Sequence, residues 1–568
     1  MKYLFSLLLL VPLAGPTFGQ QVGDCQLGSS TVDLDANNVR AALYNNGGFF
    51  WRGAGNVYTV PKDGQANAIF NAEFWIGGLA PDGAAQFSGT LYGPWEFWPG
   101  PLSANGNPPD DCDDYDRLYS VYDSDIRAYE HDGTLTDDLR DWPHHLGAPV
   151  VDGDGIAGNY DLAAGDRPHV YGDQSVWWVM NDAGNTKDWS QTAPIGVEVQ
   201  VQAFSASCLP SYRANEAAVA RVNDALTHAT YYHFTIIHKG QEPLREAYIG
   251  WWTDGDLGNA ADDFVGSDST IQMMYYYNGE DFDEGLDGYG DQPPAMGHLL
   301  AKGVQNSRTP DRQPVGFTNV MQWDLGFTFS QNIPENYYRY MQSLWNEAYN
   351  VGSRRQHVTL GGNGLGGTIP VDYHFPGDPV MESFWSEENT DGAGSRNTPA
   401  DRNILAGSGP FDVMPGDTLT FTLAIPWARS VNRLASIVKL RQSAGIVRGA
   451  TEALMQYDIQ SCPAAGTSEP EVEQPDPDAL GYYLLRQNYP EPFNQQTTIR
   501  YEVIDTVPVT LTVYDLLGRR VRTLVDGMQS AGVYDVVFEA GDLPTGLYFY
   551  RLEAAGYVSI TRRMTLQR

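Results

Sequence analysis

An acidic stretch near the middle of the chain has the residue types and the spacing that a hard metal ion needs. Residues 254–268 read DGDLGNAADDFVGSD and lie between two segments with strand-like patterns. Carboxylate and amide oxygens are the ligands that Ca²⁺ prefers, and the glycines allow the sharp turns that bring such oxygens together. The sequence therefore predicts a Ca²⁺ site with the candidate ligands Asp254, Asp256, Asn259, Asp262, Asp263 and Asp268.

A second acidic loop, residues 152–166, has the same character. Its candidate ligands are Asp152, Asp154 and Asp161, and Asn159 and Asp166 lie in the same loop. Neither loop is an EF-hand, because both lack a ligand side chain at the fifth and twelfth positions of such a loop. The alternative for each is a solvated acidic loop in an acidic protein.

Motifs for catalysis are few. The sequence contains no GxSxG elbow, no HExxH motif and no P-loop. Glycoside hydrolysis needs only two carboxylates about 5 to 9.5 Å apart. The best candidate for such a pair is the segment MESFWSEE at 381–388, where aromatic residues stand among acids.

The net charge of −36 lies almost entirely before the C-terminal segment. Residues 481–568 contain nine arginines and nine acidic residues, so this segment is neutral. The acidic remainder repels nucleic acid and anionic membranes and attracts divalent cations. We therefore expect no nucleic-acid partner.

Four cysteines, Cys25, Cys112, Cys208 and Cys462, suit an oxidising compartment and allow three pairings. None belongs to a CxxC pair, so a zinc site has no support. Because Cys25 and Cys462 flank the middle region closely, a bridge between them is an attractive hypothesis.

Residues 1–19 have the three parts of a secretory signal peptide. Lys2 is followed by an apolar run to Leu13, and Thr17-Phe18-Gly19 places small residues before a cleavage at Gln20. The apolar run is shorter than the roughly 20 residues that span a membrane. No later segment approaches that length, so we expect no integral membrane segment.

Composition changes sharply at residues 463–480, PAAGTSEPEVEQPDPDAL. This stretch is too poor in apolar residues to fold and is typical of an extended linker. It separates a passenger, 20–462, which holds one or two sub-domains, from a C-terminal domain, 481–568.

The passenger pattern is mainly β, since 60 glycines, 35 prolines and 12% aromatic residues favour turn-rich strands. Residues 229–238 and 244–253 predict a hairpin, and 197–202 alternates apolar and polar residues, which predicts one buried and one solvated face. Residues 430–457 predict one C-terminal helix capped by Ser430. The predicted fold is a β-sandwich passenger with long loops and one C-terminal helix, followed by a small C-terminal β-sandwich.

The C-terminal domain carries four motifs in order: QNYPEPFNQQTTIRYEV (487–503), LTVYDLLGRRVRTL (511–524), AGVYDVVFEAGDLPTGLYFYRLEA (531–554) and RRMTLQR (562–568). They resemble the type A C-terminal sorting domain of the type IX secretion (Por) system, with departures at Glu491 and Gln495. The resemblance implies export through the periplasm and the outer membrane, with residues 481–568 contacting the secretion machinery. It also implies cleavage in the linker, then attachment to a surface lipopolysaccharide or release.

The passenger resembles a recurrent class of large secreted proteins that carry the same tail and have no established activity. The resemblance rests on segments 37–53, 96–101, 147–155, 165–182, 254–268 and 408–417. It implies a shared fold and no reaction. We therefore expect an extracellular or cell-surface protein with a Ca²⁺-stabilised passenger that binds a polysaccharide or builds the envelope. The alternative is a secreted hydrolase acting on glycan or protein.

Overall fold

The computed structural model describes residues 22–51, 57–89, 91–93, 95–209, 216–285, 287–324, 334–345, 356–365, 367–456, 484–485, 487–503, 507–515, 519–530, 532–541, 543–554 and 558–567. The predicted signal peptide, Cys462 and the predicted linker lie outside the described residues.

Twenty strands and five helices precede the C-terminal domain in this part of the chain. The strands are β1 (Thr31–Leu34), β2 (Arg40–Tyr44), β3 (Gly48–Phe49), β4 (Tyr58–Thr59), β5 (Asn71–Leu79), β6 (Ala85–Ser88), β7 (Trp98–Pro99), β8 (Tyr119–Tyr122), β9 (Val150–Val151), β10 (Arg167–Pro168), β11 (Gln174–Asn181), β12 (Val197–Ser205), β13 (Ala229–His238), β14 (Leu244–Asp254), β15 (Asp263–Asp268), β16 (Met273–Asn278), β17 (Ala295–Asn306), β18 (Asn319–Asp324), β19 (Arg402–Val413) and β20 (Thr418–Ala428). The helices are α1 (Asp123–Asp132), α2 (Asp137–Arg140), α3 (Glu216–Thr227), α4 (Pro334–Tyr340) and α5 (Arg433–Gln456).

Two large antiparallel sheets form the passenger, which confirms the mainly β prediction. One has nine strands: β15, β16, β17, β20, β13, β12, β11 and β7 lie in that order, and β8 also pairs with β11. The other has six: β18, β19, β14, β5 and β3 in order, with β6 beside β5. Smaller sheets join β1, β2 and β4, and β9 and β10.

Aromatic rings hold the two large sheets face to face. Phe74 of the six-stranded sheet stacks on Phe234 of the nine-stranded sheet, with ring centroids 5.3 Å apart. Trp251 of β14 packs edge-on against the same Phe234 at 6.3 Å, and Phe49 contacts Tyr232 at 5.7 Å. Rings of this size bury a large apolar area each and prefer stacked or edge-on contacts. The passenger is therefore a sandwich with an aromatic core.

The predicted hairpin of residues 229–238 and 244–253 is wrong, although both strands exist. β13 pairs with β12 and β20, whereas β14 pairs with β5 and β19. Residues 239–243 therefore carry the chain from one sheet to the other. Each strand lies inside its own sheet with neighbours on both sides, and sequence patterns show that a strand is apolar without showing its neighbour.

β12 also departs from its prediction, because its polar face is largely covered. Glu198 is 1% exposed and Gln202 is 4% exposed. Residues 121–170 cover this face with a small apolar cluster, in which Trp142 packs together with Val179 of β11. The alternation predicts one solvated face, whereas in the structure a second layer of chain covers that face.

The predicted C-terminal helix is present as α5, which runs unbroken through Gly445 and Gly449. It begins three residues later than the predicted cap. The Asn432 side chain accepts a hydrogen bond from the Ala435 amide at 2.8 Å, so Asn432, not Ser430, provides the capping contact. The sequence patterns do not predict the other four helices.

The predicted bridge between Cys25 and Cys462 is wrong: Cys25 pairs with Cys112. The backbone amide of Cys25 donates to the Gly184 carbonyl at 2.9 Å, and the bridge packs against Trp98. The N-terminal segment is thus held on the edge of the nine-stranded sheet. Cys208 is also disulfide-bonded.

The described residues of the C-terminal domain form seven strands in two antiparallel sheets. Its strands are β21 (Leu484–Leu485), β22 (Gln496–Val503), β23 (Val507–Asp515), β24 (Arg520–Gln529), β25 (Gly532–Glu539), β26 (Gly546–Ala554) and β27 (Val558–Leu566). The sheets have the orders β21-β22-β25 and β24-β23-β26-β27. They share a core of their own, which includes Ile499, Leu511, Phe538 and Tyr550. None of the helices in the described ranges is long and apolar enough to cross a membrane.

The Cys25–Cys112 bridge closes a loop of 87 residues, so its loss raises the entropy of the unfolded chain. In the chain-entropy account such a loop contributes about 4 to 5 kcal/mol. We expect Cys112→Ser to lower the melting temperature, measured by calorimetry, by roughly 5 to 10 °C. Cys25→Ser and the double variant serve as controls and should melt at the same temperature as Cys112→Ser, since all three lose one bond. A variant that melts like the wild type would contradict the pairing.

Candidate metal centre

Three neighbouring strands of the six-stranded sheet, β5, β14 and β19, place polar side chains side by side where β14 ends and where β5 and β19 begin. We call this end of the three strands the acidic edge. Asp254, the last residue of β14, lies directly opposite Asn71 at the start of β5 and Asn403 near the start of β19. The antiparallel register fixes this row, because residues that face each other in a ladder have their Cβ atoms about 5 Å apart. Asp401 immediately precedes β19 and reaches the same edge.

The carboxylates of Asp254, Asp256 and Asp401 converge here, and each offers an oxygen within 4.8 Å of the other two. Asp254 is buried, with 3% of its surface exposed, and the other two are partly buried. The Tyr276 hydroxyl donates to the carbonyls of Thr253, at 2.9 Å, and Arg402, at 3.1 Å. That hydroxyl therefore joins the two chain segments that carry the carboxylates.

The glycine between Asp254 and Asp256 is required by the same tyrosine. A Cβ on Gly255 would lie 2.2 Å from the Tyr276 ring, which is closer than any real contact. Asp256 itself has a φ of +20°, a region that Asp tolerates better than most residues. The Asp-Gly-Asp spacing therefore follows from the packing of Tyr276 under the end of β14.

Asp254 lacks compensation for its charge. Its Oδ2 accepts a hydrogen bond from the Tyr92 hydroxyl at 2.6 Å, while its Oδ1 is buried without a hydrogen-bond donor. Burial, together with the negative charges of Asp256 and Asp401, raises the pKa of Asp254 well above its usual value. Burial and the charge of Asp401 raise the pKa of Asp256 to about 7. Among the described residues, neither Asp254 nor Asp256 forms an ion pair.

Buried carboxylates that repel one another are stable only when a proton or a cation reduces the repulsion. The ligand atoms here are all carboxylate oxygens, which suit Ca²⁺, Mg²⁺ or Mn²⁺ and not the softer metals. The arrangement therefore has two chemical possibilities: it shares protons, or it holds a hard divalent cation. The donor-free Oδ1 of Asp254 is the atom that fits a cation best.

The other residues of the predicted 254–268 site lie elsewhere. Asn259 and Asn278 both donate side-chain hydrogen bonds to Asp262, and Asp263 accepts from the Leu257 amide. Asp268 accepts from the amide and the hydroxyl of Thr270. Burial and the Asp283 charge raise the pKa of Asp262 to about 7, so this neighbourhood also carries uncompensated charge.

The second predicted loop forms a smaller cluster of Asp152, Asp154 and Asp166, with oxygens within 4.8 Å of one another. Asp161 is not in it, because its side chain caps the short turn at Leu162–Ala164 by accepting from two backbone amides. Asp166 also accepts backbone hydrogen bonds, from Gly153 at 2.9 Å and Asp161 at 2.7 Å. Backbone amides thus already donate hydrogen bonds to the Asp166 carboxylate of this cluster. Its need for a cation is smaller, and it is the weaker candidate for a metal site.

Asp401 is not among the candidate ligands that the sequence pattern predicts. It lies far along the chain from Asp254, in a segment without a metal-like pattern. Only the pairing of β14 with β19 brings the two together. Asp401 could therefore be predicted as a ligand only by someone who already knew that β14 pairs with β19.

Two of the three carboxylates in the 381–388 segment, those of Glu387 and Glu388, form ion pairs with arginines. Glu387 is fully buried and pairs with Arg402 at 3.0 Å, and it also accepts from the Val265 amide. Glu388 pairs with Arg396 at 2.9 Å and with Arg433. These contacts anchor β15, β19 and α5 to the segment, so we interpret the pair as structural.

Comparison with known proteins identifies the C-terminal domain. Residues 487–567 match the family described as the secretion system C-terminal sorting domain. This confirms the type IX sorting-domain assignment, and such a domain directs export to the cell surface or the extracellular space. No curated protein matches the chain.

Two solved structures have some similarity to the chain. One is a polysaccharide lyase, 9% identical with a TM-score of 0.24, where the alignment covers 65% of this chain and 34% of the lyase. The other is dimeric latent PorU from Porphyromonas gingivalis, 10% identical with a TM-score of 0.15, covering 77% of this chain and 35% of PorU. The chain spans about a third of the length of these structures. Similarities this low carry no argument about function.

We expect Ca²⁺ to stabilise the protein through the cluster of Asp254, Asp256 and Asp401. Extracellular calcium modules bind at about 10⁻⁴ to 10⁻³ M, so about 1 mM Ca²⁺ should add roughly 0.4 to 1.4 kcal/mol by mass action. Calorimetry should show a melting temperature about 1 to 3 °C higher than in chelator. Asp256→Asn should abolish this difference, and Mg²⁺ should replace Ca²⁺ poorly.

Asp268→Ala is the matched control, because Asp268 belongs to the same loop and lies outside the cluster; it should keep the calcium response. The pH dependence gives a second readout. Since the pKa of folded Asp256 is about 7 and that of an unfolded Asp is about 3.9, stability in chelator should fall as pH rises from about 4 through about 7. Calcium should reduce that fall. Melting that is indifferent to calcium and chelator at fixed ionic strength would exclude the metal site.

Proposed function

We propose that the protein is a secreted or cell-surface binding protein whose sandwich is stabilised by Ca²⁺ at the edge of its six-stranded sheet. The sorting domain supports the delivery of this protein to the outside of the cell. The proposal concerns what the passenger does there: it binds an extracellular polysaccharide and performs no chemistry on it. The alternative within this proposal is that the passenger is a structural part of the cell envelope.

One observation carries the calcium part of the proposal. Asp254 is buried at the end of a central strand with an oxygen that receives no hydrogen bond, and two further carboxylates lie beside it. A catalytic acid or base must reach its substrate, whereas Asp254 is covered by Tyr92 and 3% exposed. A cation there would link the ends of β14 and β19, which is a structural role.

Export supports the same interpretation, because the outside of a cell is where millimolar calcium is available to weak sites. The acidic passenger favours cations over anionic partners. We further propose that the mature protein loses its tail by cleavage within 463–480. It is then attached to a surface lipopolysaccharide or released.

The binding role is tested by incubating the full secreted protein with a panel of insoluble and soluble polysaccharides. We expect at least one polysaccharide to retain the protein in a sedimentation assay, and no new reducing ends or unsaturated products to appear. Glu387→Gln and Glu388→Gln test the alternative that the passenger is a hydrolase. A hydrolase that used these two carboxylates would stop releasing product in both variants. If the wild-type protein released such products, the passenger would be a hydrolase and the proposed binding role would be wrong. No retention by any envelope or extracellular polysaccharide would exclude the ligand class.

The sorting role is tested by deleting residues 481–568. Because the C-terminal domain has a core of its own, we expect the truncated passenger to fold and to accumulate in the periplasm. Cell fractionation and protease accessibility measure this. As a control, the same domain fused to an unrelated periplasmic protein should carry it to the surface. Surface delivery of the truncated chain would contradict the assignment.

A further inference from the structure

A cavity of about 110 Å³ opens on the outer face of the nine-stranded sheet, away from the acidic cluster. It lies where the segment 121–170 leaves part of that face uncovered. Its volume accommodates several water molecules, and therefore one small polar molecule. It is lined by Gly147, Pro149, Tyr171, Trp177, Gln200, Gln202, His233 and Thr235.

The floor of the cavity is built by three neighbouring strands in strict register. Trp177 of β11 lies opposite Gln202 of β12, and Gln202 lies opposite His233 of β13. Gln200 lies opposite Thr235 in the same way. Central strands of a wide sheet are among the most rigid parts of a protein, so these side chains have fixed positions.

Both glutamine amides are oriented by hydrogen bonds of their nitrogens. Gln202 Nε2 donates to the His169 carbonyl at 2.9 Å and to Ser175 Oγ at 3.1 Å. Gln200 Nε2 donates to the Leu146 carbonyl at 3.1 Å and to Glu198 Oε1 at 2.9 Å. Among the described residues, no donor contacts the Oε1 atom of either amide, so both oxygens can accept a hydrogen bond from an occupant of the cavity.

Three lining groups that can donate are also without protein partners. Among the residues the structure describes, the Trp177 indole N–H, the Tyr171 hydroxyl and the Thr235 hydroxyl form no hydrogen bond. None of these three atoms is among the buried polar atoms without a partner, so water in the cavity reaches them. A polar occupant would replace that water and form hydrogen bonds with the same groups.

The cavity is uncharged. None of its lining residues carries a formal charge apart from His233, whose ring hydrogen-bonds Thr422 Oγ1 at 3.0 Å. Burial, with a smaller contribution from Lys302, lowers the pKa of His233 to about 4, so it is neutral at physiological pH. The nearby charges are paired with each other, Glu198 with Lys239 and Lys302 with Glu452. An ionic ligand would lose its hydration here without gaining a counter-charge.

We infer that this cavity binds one uncharged sugar ring, a terminal or branching residue of a larger glycan. A sugar carries hydroxyls that both donate and accept, and the cavity offers donors and acceptors side by side. This assignment rests on the binding role proposed above and names the part of the passenger that performs it. It does not depend on the calcium site.

The test uses the full secreted protein and calorimetric titration with glucose, galactose, mannose, N-acetylglucosamine and glucuronate. At least one neutral sugar should bind. If that sugar is glucose, its charged counterpart glucuronate should bind at least tenfold more weakly. If it is another sugar, glucuronate should not bind. Tyr171→Phe and Thr235→Val each remove one hydroxyl with little change of shape. We expect each to weaken binding about fivefold, and the double variant more than tenfold.

Thr418→Val is the matched control, because Thr418 lies in β20 of the same sheet outside the cavity; it should leave binding unchanged. Melting temperatures check that all variants fold. The indole N–H resonance of Trp177, assigned from its loss in Trp177→Phe, should shift when the sugar is added to the wild type. Failure of every neutral sugar to bind at 50 mM or below, or equal binding by wild type and double variant, would show a water-filled cavity and overturn the assignment. A polysaccharide that still retains the double variant would leave the binding role intact and exclude only this site.

Discussion

Aromatic packing between the two large sheets is the interaction on which the rest of the structure depends. Phe74, Trp251 and Phe49 of one sheet interlock with Phe234 and Tyr232 of the other. This contact fixes how the sheets face each other. It also determines which parts of the sheets lie outside the shared core. These are the strand ends at which the carboxylates of the acidic edge converge, and the outer face of the nine-stranded sheet, which carries the polar cavity. Both candidate sites are placed by the sandwich, not by loops alone.

The sequence predicted the class of fold because alternation and composition report which segments are strands. Residues 229–238 and 244–254 are both strands, as their patterns indicate. Their pairing was wrong because partners are chosen by packing between distant segments, which a local pattern does not record. For the same reason the sequence pattern did not predict Asp401 as part of the candidate metal site, and it predicted the wrong partner for Cys25. Asp254 and Asp256 were found because two residues separated by one glycine stay close in any fold.

The structure handles buried acids in two different ways. Asp182 is fully buried beside Lys187, which lies 2.9 Å away. Although burial opposes ionisation, Lys187 and several hydrogen bonds lower the pKa of Asp182 below its usual value. Glu387 pairs with Arg402, although burial still raises the pKa of Glu387 above its usual value. Among the described residues Asp254 has no ion pair, and burial with the charges of Asp256 and Asp401 raises its pKa well above the usual value. Asp263 is also fully buried with an oxygen that receives no hydrogen bond, so the acids without a cationic partner lie around the 254–268 segment.

The route of the chain between the sheets also has a kinetic consequence. The five-residue connection 239–243 sends β13 into one sheet and β14 into the other, and each of these strands pairs with a strand beyond residue 400. Neither sheet can be completed until β19 and β20 are available for pairing, because each of them lies between two other strands of its sheet. Contacts this distant in sequence slow folding. For an exported protein that crosses a membrane unfolded, such a delay would keep the N-terminal half from becoming trapped in a finished sheet while the remainder is still crossing.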